Sequence, residues 1–356
     1  MKLFLRPPEH NRSRLRISFQ EGKVELMGSL TVMPRRVWLP AVLALNAVIA
    51  LSPTRAASSD NTFERTYTVS GSVRLELNNS SGNVDIRGSG DGKVHVIGKV
   101  TAGWSVFGSS EKNIQEVVAN PPLEQRDNVI RVGKGNSSLR NISIEYKIEV
   151  PHDTDIEADV ASGGVTIDNV KGPVKASSAS GYLHIYQVER DTMLSAASGD
   201  IEARGIGGIL HVNSASGSIT LADVKGDLKA TAASGGIHIA NPGDRVDASS
   251  ASGEIEVSGA KSDMKVHAVS GSINVGGDPS ASRYWELKSV SGSIDIRVPP
   301  GASFLFTAET TSGDIRTNIP VVLEEQGKHS LRAHIGSSSG RIEVHTVSGG
   351  VDVKGS

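Results

Sequence analysis

From about residue 160 onward, apolar and polar positions alternate in short runs, and the runs recur at a fixed interval. Ser-Gly stands at 162, 180, 198, 216, 234, 252 and 270, then at 291, 312, 339 and 348, with earlier copies at Ser70 and Ser81. The first seven are eighteen residues apart, and the later steps run from nine to 27. Counting the Ser as one, the fourth position is always aliphatic, from Val165, Leu183 and Ile201 through Ile294 and Ile315 to Ile342 and Val351. The sixth is nearly always so, as in Ile167, Ile185, Leu221, Ile239, Val344 and Val353, with Ala203 and Thr317 as departures. Apolar side chains two apart with polar ones between describe a strand with one buried face. A weaker alternating run follows at positions thirteen, fifteen and seventeen, as in Leu210/Val212/Ser214 and Leu228/Ala230/Ala232.

Two short strands per repeat, joined at Gly-bearing turns, form one coil. A single coil cannot bury its apolar face. Coils stacked about 4.8 Å apart place equivalent aliphatics in columns and pair each backbone with the coils above and below. The pattern therefore predicts an all-β protein: a single-stranded β-solenoid, or parallel β-helix, with 18–27-residue coils over 161–356. Segment 57–160 breaks the period. It reads as several strands and a short helix, Glu111 to Ala119, capped by Ser110 and stopped at Asn120-Pro121-Pro122. It is the expected β-rich N-terminal cap, since an open solenoid end would stack on other molecules. Alternation on either side of Glu324–Lys328 predicts a hairpin projecting from the rod. Residues 348–356 show no cap, which suggests an edge free for self-association.

The recurring S-G-x-[IVL]-x-[IV], entered through a strand-rich segment and the junction Ile148-Glu149-Val150-Pro151, resembles the bacterial putative-adhesin family of β-strand repeat proteins, a domain of unknown function. The resemblance spans about 57–356. It implies an exported bacterial β-helical protein and supplies no catalytic residue to carry over.

Composition narrows the chemistry. The chain has 356 residues, no Cys, 39 Gly and only 4% aromatics, which excludes disulfide scaffolds, Cys-ligated metals, Cys nucleophiles and a lipobox. The 37 basic and 39 acidic residues nearly balance, but the basic excess lies in 1–56 and the remainder is acidic. An acidic body argues against nucleic acid as partner. Pro34-Arg35-Arg36, the apolar run Val37 to Leu51 and Thr54-Arg55-Ala56 read as a signal peptide over 33–56, with 1–32 a mis-called upstream extension. After cleavage the product is not an integral membrane protein, and the expected location is the periplasm, the cell surface or the medium.

No cofactor or metal site is expected. His184 and His238 lie three coils apart, and the turns lack the repeated carboxylates of calcium-binding rolls. Gly336-Ser337-Ser338-Ser339-Gly340 matches a hydrolase elbow in letters, but it lies between strands and reads as a coil turn. The best candidate surface is an outward row in which Tyr182, His184 and Tyr186 on one coil adjoin Asp200, Glu202 and Arg204 on the next. Rings beside carboxylates suit a sugar. The expectation is an exported non-enzymatic solenoid for adhesion, surface interaction or scaffolding, its partner an envelope protein or a glycan. Two alternatives stay open: a carbohydrate-active enzyme on a β-helix, and an envelope sensory or regulatory protein.

Overall fold

The computed structural model describes residues 61–102, 110–133, 142–337 and 340–356, within the compact unit Ala56–Ser356. The leader and upstream extension read at 1–56 lie outside the described residues. So does the Ser110 side chain to which the helix cap was assigned.

The strands fall into two long sheets, called A and B here. The chain begins with β1 (Thr62–Thr68), β2 (Val73–Asn79), β3 (Val84–Ser89) and β4 (Lys93–Ala102). Helix α1 (Ser110–Ala119) follows, then β5 (Leu123–Arg126), β6 (Val129–Val132) and β7 (Ile142–Pro151). Regular coils come next, each giving one strand to sheet B and then one to sheet A. They are β8 (Thr154–Ser162) with β9 (Val165–Val170), β10 (Val174–Ser180) with β11 (Leu183–Val188), and β12 (Thr192–Ser198) with β13 (Ile201–Ile206). Next are β14 (Leu210–Ser216) with β15 (Ile219–Val224), β16 (Leu228–Ser234) with β17 (Ile237–Ala240), and β18 (Val246–Ser252) with β19 (Ile255–Ala260). The regular series ends with β20 (Met264–Ser270) and β21 (Ile273–Gly277), then β22 (Trp285–Ser291) and β23 (Ile294–Val298). The final elements are β24 (Phe304–Ser312), β25 (Ile315–Thr317), β26 (Val322–Gln326), β27 (Ser330–Ile335), β28 (Gly340–Ser348) and β29 (Val351–Gly355).

Successive coils pair in parallel and in register, with one irregularity between Val257 and Ala260 where β19 meets β21. Ile219 lies beside Ile201 on one side and Ile237 on the other, and Leu228 lies between Leu210 and Val246. The aliphatic columns face each other between the sheets and are almost entirely removed from water. Burying each such side chain contributes about 1.5–3 kcal/mol. Position seventeen carries the small buried residues Ser178, Ala196, Ser214 and Ala232, which let the sheets close where the chain turns from B to A. The period thus gives the β-solenoid it predicts, built as two sheets in which the stacked coils pair in parallel.

At the N-terminal end, sheet A continues through β7, β4 and β1, and sheet B through β6 and β5. Helix α1 buries Ile114 and Val117 in the common core and packs on β4. This segment also supplies a coil of its own. Strands β2 and β3 stack directly on β8 and β9, and Ser81-Gly82 is their corner, with Gly82 N–H donating 3.0 Å to Ser162 O. Ser70-Gly71 is instead part of the link from β1 to β2.

The C-terminal end departs from the sequence expectation. Coils do not stack there in chain order: β28 lies between β22 and β24, and β29 between β23 and β25. Ile342 and Val344, read from their motif as sheet A positions, pair instead with Trp285 and Leu287 of sheet B. Gly340 imitates a corner but opens a strand. The true corner is Gly349, where an added Cβ would lie 2.2 Å from Gly292 O, the same stacking seen at every regular corner. Residues 348–356 are therefore interior, and self-association through a free C-terminal edge is ruled out, because both faces of that edge are already paired. The edge of sheet A is the three-residue β25, which Asn318 and Ile319 adjoin. The hairpin is present as β26–β27, but it does not project. Strand β27 pairs antiparallel with β24 and prolongs sheet B, of which β26 is the edge.

Candidate ligand-binding surface

The predicted row lies on the outer face of sheet A. Strand β11 aims Tyr182, His184 and Tyr186 outward because Leu183 and Ile185 point in, and β13 does the same for Glu202 and Arg204 around Ile201 and Ala203. Parallel pairing sets His184 beside Glu202 and Tyr186 beside Arg204. The rings form a tier. Tyr182 and His184 stack with centroids 4.3 Å apart at 29°, and Tyr186 is tilted 50° from His184 at 6.2 Å. Tyr182 lies over Gly164 of the preceding coil, where a Cβ would come within 2.1 Å of Tyr182 Cζ. Glycine at that position thus lets the tyrosine ring lie against the sheet, leaving it 37% exposed.

The structure brings all six residues together but engages their charges locally. Arg204 Nε donates 2.6 Å to Glu202 Oε1, and Asp200 Oδ1 accepts the Ser218 backbone N–H at 2.8 Å. Partial burial, helped by the neighbouring Glu202 carboxylate, holds the Tyr186 phenol above its ordinary value. The tier offers ring faces and carboxylate oxygens already held by donors of the fold.

Other chemistry is sparse. Among the described residues no three His, Asp or Glu converge as a metal site. The elbow-like segment joins β27 to β28, with Ser338 and Ser339 outside the described residues. Sequence reasoning missed a hydroxyl–imidazole–carboxylate chain near the N-terminal end. Thr66 Oγ1 lies 3.1 Å from His95 Nδ1, and His95 Nε2 lies 2.7 Å from Asp91 Oδ2. Thr66 and His95 are cross-strand partners, and Asp91 also accepts from Ser89 Oγ and the Lys93 amide, so the set clamps the turn between β3 and β4. Sequence reasoning also missed a long groove on the outer face of sheet B, bordered by exposed Val269, Val290 and Val347. A column of exposed alanines turning to valine was the available signal. Among the described residues, no helix is long and apolar enough to cross a membrane.

Two sheets of stacked parallel coils with Ser-Gly corners and a polar outer face define a β-solenoid repeat protein. The chain belongs to the Toastrack DUF4097 family, whose profile matches residues 62–277 and 244–354. It is similar to solved structures described as a putative cell adhesion protein from Clostridium sporogenes ATCC 15579 (15% identity, 83% of this chain and 100% of that chain, TM-score 0.18) and a putative adhesin from Bacteroides fragilis NCTC 9343 (14%, 82% and 96%, TM-score 0.32). A third, described as a putative lipid binding protein from Parabacteroides distasonis ATCC 8503, has 11% identity over 83% of this chain and 97% of that one, with a TM-score of 0.35. No curated protein matches the chain.

Proposed function

We propose that this protein is an exported, non-enzymatic solenoid that makes adhesive or scaffolding contacts in the bacterial envelope, with a glycan held on the Tyr182–His184–Tyr186 tier. The observation that carries this reading is the pairing of stacked, solvent-facing rings with carboxylates already held by Arg204 and the Ser218 amide. Rings present flat apolar faces to the CH faces of a sugar, and fixed carboxylate and guanidinium groups accept and donate to its hydroxyls. Sugar cleavage needs one carboxyl kept protonated while the other is ionised. Asp200 accepts an amide N–H and Glu202 a guanidinium N–H, so both carboxylates are fixed by donors of the fold, an arrangement that suits binding better than hydrolysis.

The test is a glycan array comparing the wild type with Tyr182→Ala/Tyr186→Ala. Loss of a wild-type glycan signal, with the circular dichroism spectrum unchanged, supports the tier as the binding surface. Equal binding by both proteins eliminates it. Release of reducing sugar from a polysaccharide would replace this reading with the enzymatic one.

A further inference from the structure

We infer that the outer face of sheet B is a two-fold interface between copies of this chain, with the two stacks of coils running antiparallel. The groove there encloses about 1390 Å³ and crosses nine strands, from β10 to β24. One wall is alanine from Ala179 to Ala251 and then Val269, Val290 and Val347, which are 53%, 49% and 50% exposed. The other is small and polar from Ser177 to Ser249 and then His267, Lys288 and His345. Contiguous valines half in water on a flat sheet mark a surface that is covered in use.

The grading along the groove selects the occupant. A half-turn about an axis parallel to the strands, through Ala233 of β16, carries β10 onto β22, β12 onto β20 and β8 onto β28. It keeps each side chain's place along its strand. Val290 then meets Ala179, Val269 meets Ala197 and Val347 meets Ala161, so each large side chain fills the space above a small one. Most charged positions match under the same operation: His345 meets Asp159, Asp247 meets His211 and Glu286 meets Lys175, whereas Glu343 meets Glu157, each of which keeps a cation of its own chain, Arg341 for the one and Arg74 and Lys175 for the other. Only Lys229 meets itself, and its long stem can carry the ammonium out to water. Parallel stacks related by an axis along the valine column would instead set valine on valine and leave gaps over the alanines.

The contact is also large enough. Nine strands about 4.8 Å apart and three outward columns give roughly 38 by 20 Å, on the order of 1,500 Å² buried in total, within the range of stable complexes.

The chain contains no cysteine, so single introduced thiols report the geometry cleanly. Under mild oxidation, Ala233→Cys on the axis should cross-link to itself. Ala179→Cys and Val290→Cys should each stay uncrosslinked alone and join when mixed. Val290→Lys should weaken self-association at least ten-fold in sedimentation equilibrium while its melting temperature stays at the wild-type value. Self-crosslinking of Ala179→Cys or Val290→Cys alone would overturn the antiparallel arrangement. A monomeric wild type at 100 µM would overturn the interface itself.

Discussion

A methyl group added at Gly217 would lie 2.2 Å from the carbonyl oxygen of Gly199, and the residue itself sits at φ +136°, where side chains are strained. The first constraint comes from the neighbouring coil and is a property of the stack, and the second is set by the corner's own backbone. Gly217→Val should therefore destabilise by at least about 2 kcal/mol, whereas Thr220→Val, on the outer face of the same coil, should stay within about 0.5 kcal/mol. Urea midpoints of the two variants check this, and equal midpoints would contradict the register. A second residue gives a pH signature. The hydrogen bonds from His95, Ser89 and the Lys93 amide hold Asp91 at about 2, below the ordinary 3.8. A carboxyl depressed on folding stabilises fully above its unfolded value and loses that contribution as pH falls through its folded one. Asp91→Asn should lower the urea midpoint at pH 5, and the gap from wild type should close between about pH 4 and pH 2.

At the level of strands and coils, the sequence was legible wherever a coil stacks on its neighbour in the chain. Val165 to Ile294 could be read as one column because burial demands an aliphatic every second residue and the corner demands glycine. Legibility failed where stacking is non-local. Ser339-Gly340-Arg341-Ile342-Glu343-Val344 satisfies the motif letter for letter, yet Gly340 meets Pro279 O, away from the glycine column. Nothing local records that β28 and β29 belong beneath β24 and β25. The ring tier was legible because outward positions follow from inward ones; the engagement of Asp200 by the Ser218 amide was not, since it depends on the spacing between adjacent coils. Coil periodicity itself yields a test. Removing residues 217–234 joins Ser216 to Gly235 in register and should leave a folded protein with an unchanged sheet spectrum. Removing 217–233 shifts the following strand by one position, turns its apolar face to water and should give aggregates in size-exclusion chromatography.

For the unit Ala56–Ser356 as a whole, stability resides in contacts between neighbours along the stack, as in other repeat architectures. Its ends differ in how they close. One is covered by α1 with β1, β4 and β7, the other by β26–β27 on sheet B and the short β25 on sheet A. The terminal strands are β1 and β25 in sheet A and β5 and β26 in sheet B.

The intercalated position of β28 and β29 bears on how the stack is completed. Before they arrive, β24 and β25 are the next segments in sequence after β22 and β23, and alignment of the Ser-Gly corners would set Phe306 on Trp285 and Ala308 on Leu287. Such a pairing would have to be opened for the later coil to enter by strand displacement. Assembly of this protein should thus hesitate at its penultimate layer until the later coil has taken its place.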